Sequence, residues 1–316
     1  MKKVKLGQTG IEVSPITIGA WQLGGPLFFD GKPDGHPDPG KDNVIHMIRD
    51  LGELGINAID TAEQYSAGES EKRVGEAIQG KRDKWVVSTK FGYRVGRDGN
   101  REDDSSPGTI MHSLEGSLRR LKTDYLDVYL YHCAPQVKDI EVGREVLTRA
   151  KDQGKIRSYG ISTNNIELLK EMEKAKSVEV VQFANHMCQN RLDIWELAKK
   201  NNWGTQIRGV MYQGRLSGKY FDKAPDFKGD DNRSKMTMKD NFVKYAALRE
   251  YLPEGMSMSQ AVVLWTLLND QSHTICLGAK TLKDYKNIID GLNHFELPVE
   301  VGDLLEREAL KLNAAG

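Results

Sequence analysis

Eight short runs rich in β-branched and aromatic residues recur along this chain, and their alternation with amphipathic stretches restricts its fold more than any other feature. The runs are PITIG from Pro15, NAID to Asp60, WVVSTK to Lys90, LDVYLYH to His132, IRSYGIS to Ser162, VVQFAN to Asn185, GTQIRG to Gly209 and HTICLGA to Ala279. Between most of them lie helical patterns. After Ser106, a candidate cap, Pro107 suits a first helical turn, and Ile110, Met111, Leu114, Leu118 and Leu121 then form one apolar stripe. Similar stripes run through NIELLKEM, LDIWELAKK and the segment 257–268. Apolar strands separated by helices pair in parallel beneath a helical cover. Eight such units within 316 residues predict a single (β/α)8 barrel domain spanning residues 1–316, with functional groups on the loops at the C-terminal ends of the strands. A doubly wound Rossmann sheet is the rival, but IGAWQLGG after the first run lacks the GxGxxG turn.

Ahead of the first run, VKLGQTGIEVS reads as a β-hairpin that closes the bottom of the barrel, with Gly7 and Gly10 in its turn. Two long polar loops, 24–41 and 220–240, are expected on the active-site side, as lids or binding loops. Lys plus Arg and Asp plus Glu are each 45, so the basic face of a nucleic-acid binder is missing. MKKVKLGQTG turns polar before any signal-like apolar run, and no stretch approaches the ~20 apolar residues of a membrane span. A cytoplasmic location is expected. Cys133, Cys188 and Cys276 are widely spaced and in no CxxC pattern, which reads as reduced thiols and not as a disulfide framework or zinc cluster.

Four residues at or just beyond strand ends carry the chemistry: Asp60 and Tyr65 in AIDTAEQY, Lys90 in VVSTK and His132 in LDVYLYH. A phenol, an ammonium, a carboxylate and an imidazole together suit carbonyl reduction, because the cation is expected to lower the phenol's pKa until it donates a proton near neutrality. A metal-dependent barrel hydrolase would instead need an HxH pair on its first strand, where PITIGAW stands. A glycosidase would need a second strand-end carboxylate to set beside Asp60.

The wording around these residues, GINAIDTAEQY, STKFG, GKIRSYGIS and GRLSGKY, resembles the aldo-keto reductases, and the similarity extends from LGQTGIEVSPITIGAWQLG to LGAK. The resemblance implies reversible NADPH-dependent reduction of an aldehyde or ketone without a metal. In that scheme Tyr65 is the general acid, Lys90 stabilises its phenolate, Asp60 holds Lys90, and His132 orients the carbonyl. It also implies a cofactor cradle. Ser162 and Gln182 match positions that bond the nicotinamide carboxamide, with Thr163 where Asn is usual, and Arg208 aligns where an aromatic residue often stacks on the nicotinamide. Ser217 and Lys219 in QGRLSGK accompany the pyrophosphate, while Gly278, Lys280 and Thr281, with Lys283 nearby, grip the adenosine 2′-phosphate. Asp284 falls where Gln or Arg is common, and Asn287 and Ile288 replace an acid-amide pair, so NADH stands as the alternative donor. Trp21, Phe91 and Tyr93 are the candidate substrate-pocket rings, with Phe28, Phe29 and His186 as further candidates. The alternative function is a nicotinamide-binding, redox-sensing subunit with little turnover.

Overall fold

The alternation of strands and helices folds as the pattern demands. A computed structural model describes residues 1–29, 31–96, 98–227, 229–235 and 242–314. Eight parallel strands close into a barrel: β1 (Ile16–Gly19), β2 (Ala58–Asp60), β3 (Val86–Phe91), β4 (Leu126–Tyr131), β5 (Ile156–Ser162), β6 (Val180–Ala184), β7 (Gly204–Arg208) and β8 (Thr274–Leu277). Helices α1 (Lys41–Glu53), α2 (Glu69–Ile78), α3 (Pro107–Leu121), α4 (Ile140–Asp152), α5 (Ile166–Lys174), α6 (Leu192–Asn201), α7 (Met258–Leu267) and α8 (Leu282–His294) follow the strands in turn. A further helix, α9 (Val299–Ala314), packs on α7 and on the 3-10 turns at Val243–Tyr251. None of the helices among the described residues is long and apolar enough to cross a membrane.

Each barrel strand divides its side chains by parity. One set, including Ile59, Val87, Phe91, Tyr129, Tyr131, Ile161, Val181, Phe183, Ile207 and Ile275, faces the helices and joins their apolar stripes in the main core. The other set faces the barrel axis. At the bottom it is apolar: Ala58, Val86, Val128, Leu130 and Val180 pack with Leu6, Ile11 and Val13 of the N-terminal hairpin (Val4–Lys5 with Glu12–Val13). The hairpin is therefore the plug expected of it. Its Gly7 lies so close to β7 that an added Cβ would sit 2.3 Å from the Gly204 nitrogen, a position no side chain can take.

Two helix starts are capped differently. Ser257 caps α7, in a reciprocal box with Gln260. Ser106 occupies the cap position of α3 but its hydroxyl accepts no cap bond; its carbonyl accepts instead from the Thr109 backbone and hydroxyl. Within the loop 24–41, Phe28–Phe29 pairs with Lys32–Pro33, and within 220–240 a 3-10 turn covers Asn232–Lys235. The backbone N–H of Asn232 donates to the carbonyl of Gly35 at 2.9 Å, so these two loops meet each other. Asp30 of the first loop, and Lys228 and 236–240 of the second, lie outside the described residues.

Candidate active site

Near the top of the barrel the inward-facing side chains change from apolar to polar. β2 contributes Asp60, β3 contributes Ser88 and Lys90, β6 contributes Gln182 and β7 contributes Gln206, all buried. Lys90 is wholly shielded from solvent at 0% exposure, and its ammonium donates to three oxygens: Asp60 Oδ2 at 2.8 Å, the Thr61 carbonyl at 2.8 Å and the Tyr65 hydroxyl at 3.2 Å. Tyr65 arrives from the turn after β2, where Ser66 and Ala67 take positive φ of 50° and 54°. The Tyr65 ring meets His132 edge-on at 5.7 Å between centroids. All four residues singled out from sequence thus converge on one phenol.

Burial sets the electrostatics. It pushes the Tyr65 phenol above its ordinary value more strongly than Lys90 pulls it down. This corrects the expectation of a net lowering toward neutrality: Lys90 does pull the phenol down, but desolvation of the phenolate outweighs it. The phenol is consequently protonated at neutral pH. Burial also opposes the charge of Lys90, but Asp60, followed by Tyr65, outweighs it and holds the ammonium well above its ordinary value. His132 moves the other way. Burial, then the charges of Lys90 and Arg208, drive its imidazole well below the ordinary value, so the ring is neutral at pH 7, and its Nδ1 is buried with no hydrogen-bond partner among the described residues.

Of the residues assigned to the cofactor side, Ser162, Gln182 and Arg208 adjoin this cluster, and several of the set have partners that sequence did not reveal. The Gln182 amide donates to Asp60 Oδ1 at 2.9 Å and to Gln206 Oε1 at 3.1 Å, and it accepts from Ser162 Oγ at 3.0 Å. Gln182 therefore braces Asp60 from the side opposite Lys90. Arg208, lowered by burial against the pull of Tyr65 and Asp60, is held by Asn164 Oδ1 at 3.1 Å. Asn164 also exchanges two hydrogen bonds with the Ala184 backbone and so ties β5 to β6. Ser217 Oγ bonds the Gly214 carbonyl at 2.6 Å. Lys219 is paired with Asp284 at 2.7 Å and Lys280 with Asp231 at 3.2 Å. Thr281 caps α8 through the Asp284 N–H, and Gly278 lies against Gln22, whose amide donates to the Gly19 and Ala279 carbonyls.

Around the mouth, Trp21 stacks on Tyr65 with centroids 6.1 Å apart, and Tyr93 meets His132 at 5.1 Å. Trp21 and Tyr93 thus flank the Tyr65–His132 pair. Phe91 does not: it is fully buried on the outer face of β3, packed at 4.5 Å on both Tyr129 and Tyr131. The reason is parity, since Lys90 faces the axis and its neighbour must face the helices. His186 is also elsewhere, stacked on Tyr212 at 4.2 Å, and Phe28 is exposed on the first loop. Asp34 and His36 of that loop were not foreseen. The Asp34 carbonyl accepts from Trp21 Nε1 at 3.0 Å and its carboxylate from Gln64 at 2.7 Å, while His36 meets the Trp21 ring at 5.0 Å.

Comparison with known proteins places this arrangement. The Aldo/keto reductase family model matches residues 15–307. The chain is 31% identical over 284 residues to the aldo-keto reductase YhdN of Bacillus subtilis (strain 168), covering 84% of this chain and 81% of that protein. It is 30% identical over 233 residues to the NADH-specific methylglyoxal reductase of Escherichia coli (strain K12), covering 69% and 70%. Among solved structures, aldo-keto reductase AKR11C1 from Bacillus halodurans in its holo form superposes with a TM-score of 0.81 at 26% identity, over 98% of this chain and 96% of that one. With the barrel and its matched sequence together, the chain belongs to the aldo/keto reductase family of NAD(P)H-dependent oxidoreductases.

Proposed function

We propose that this protein reduces an aldehyde or ketone to the alcohol with Tyr65 as general acid and NADPH as the preferred donor, NADH being the second. The observation that carries the acid assignment is the three-way contact of the Lys90 ammonium with Asp60, Thr61 and the Tyr65 hydroxyl.

The residues fit a nicotinamide dinucleotide. Gly214 and Gly218 take positive φ of 101° and 77° in the turns of the stretch read as the pyrophosphate passage, where the N–H groups of Gly214, Arg215, Leu216, Ser217 and Lys219 are bonded within the turn. The N-terminus of the 13-residue helix α8 carries Lys280, Thr281 and Lys283, favourable to an anion. Ser162, Gln182 and Arg208 would hold the nicotinamide end. When bound, the reduced nicotinamide supplies the hydride that reaches the carbonyl carbon.

The remaining chemistry belongs to this chain. The protonated Tyr65 hydroxyl gives its proton to the carbonyl oxygen, and the charge of Lys90 stabilises the phenolate that results. Asp60, braced by Gln182, keeps Lys90 charged and aimed. Neutral His132 offers a ring N–H to the same oxygen and fixes the direction of approach, with Trp21 and Tyr93 as flanking walls. The test follows nicotinamide absorbance with NADPH and with NADH against aldehydes, ketoses and aromatic ketones. Methylglyoxal belongs in the panel because one relative is named for it. Turnover with at least one carbonyl is expected, faster with NADPH. A protein that binds the cofactor yet oxidises it with none of them would contradict the reading.

A further inference from the structure

Asp231 joins three parts of the molecule at the mouth of the barrel. It lies in the loop after β7, yet it is only 3% exposed. Arg233 grips it from its own loop, through Nε at 2.9 Å, Nη2 at 2.8 Å and the backbone N–H at 3.0 Å. His36, from the loop after β1, brings Nδ1 to 3.4 Å. Lys280, from the exit of β8, donates to Oδ2 at 3.2 Å. Although burial opposes its charge, Arg233 and His36 hold the carboxyl below the ordinary carboxylate range, so it is ionised at any working pH.

We infer that Asp231 is a specificity-determining residue for the nicotinamide cofactor, because its carboxylate holds Lys280 and competes with an adenosine 2′-phosphate for that cation. The inference rests on the placement of the 2′-phosphate at Lys280 proposed above. A phosphate drawn to Lys280 meets a second anion already on the same ammonium, and the bidentate contact with Arg233 prevents that anion from swinging aside. Like charges sharing one cation oppose each other. NADH brings only ribose hydroxyls to that position, and hydroxyls donate to a carboxylate. Asp231 thus weakens NADPH binding while leaving NADH binding unaffected or slightly favoured. Its effect runs opposite to that of Lys280, which favours NADPH.

The experiment is fluorescence titration of the purified protein with NADPH and with NADH, read as the ratio of the two dissociation constants. A loosened loop would weaken both cofactors through their shared atoms and cancel in that ratio. Asp231→Asn is expected to shift the ratio toward NADPH about tenfold, equivalent to ~1.4 kcal/mol. Asp231→Ser serves as a second neutral variant, and Asp231→Glu, which retains the charge, should stay near the parent. In a Lys280→Ala background the shift from Asp231→Asn should fall to about twofold or less, because the contested cation is gone. An unchanged ratio in both neutral variants, or an equal shift with and without Lys280, overturns the inference. The underlying placement is read separately: if Lys280→Ala alone fails to weaken NADPH relative to NADH, the 2′-phosphate is not at Lys280. If it does weaken NADPH while Asp231→Asn leaves the ratio unmoved, only the role of Asp231 fails.

Discussion

Replacing Lys90 by methionine keeps the apolar stem of the side chain while removing its terminal ammonium and all three of its hydrogen bonds. Asp60, only 4% exposed, then retains a single charge-neutral donor from its present partners, Gln182 at 2.9 Å. Removing one member of a buried ion pair costs about 3–5 kcal/mol, and the surviving Gln182 contact places this case near the lower end, ~3 kcal/mol. The loss should appear as a lowered midpoint of urea denaturation at unchanged slope. It should persist across neutral pH: the Lys90 pKa is raised, so the pair's contribution is complete below the ordinary lysine value of ~10.4 and is lost only as pH climbs through the folded value. Turnover should fall by about 10²–10³, the usual cost of losing a preorganised charge at a developing anion. Without Lys90 to lower the phenol, the alkaline limb of residual activity should move to higher pH. The double variant Asp60→Asn/Lys90→Met should recover most of the stability but not the rate. A Lys90→Met protein within about 1 kcal/mol of the parent, with the double variant no more stable than it, would refute the electrostatic argument.

Phe91→Ala should destabilise by about 3–5 kcal/mol in the same denaturation assay while the folded protein keeps its Michaelis constant, the signature of a core residue and not a pocket wall. Because His132 is held neutral well below its ordinary value, kcat/KM should show no inflection near pH 6.5; one that disappears in His132→Gln would contradict this. The same depression means that the stability linked to His132 is complete above about pH 6.5 and declines as pH falls toward its folded value, which denaturation at pH 5 and pH 7 should reveal against His132→Gln.

The residues that sequence places well are those governed by local rules. Strand ends are marked by composition, and strand parity puts Asp60, Lys90 and Gln182 on the barrel axis, so their meeting follows once the barrel is recognised. The same parity shows why Phe91 was misread: adjacency to Lys90 in sequence guarantees the opposite face. The phenol's raised pKa escaped because spacing reveals a neighbouring charge but not how much water is excluded. Asp231 was invisible for another reason. Its partners Lys280 and His36 come from two other loops, and the acid itself sits in a polar stretch with no periodicity to mark it. Asn164 and Gln206 are a milder case. Each lies in or beside a predicted strand end, and inward parity of Gln206 beside Gln182 is a usable signal.

The central claim is that the Tyr65 hydroxyl supplies the proton. Tyr65→Phe removes one oxygen and leaves the ring against Trp21 and His132. Single-turnover reduction of a good aldehyde by the variant pre-loaded with NADPH tests this directly, with the NADPH dissociation constant measured beside it. The account predicts a rate lower by about 10²–10⁴ with cofactor affinity nearly unchanged. A variant that retains most of its single-turnover rate would show that the proton comes from another group.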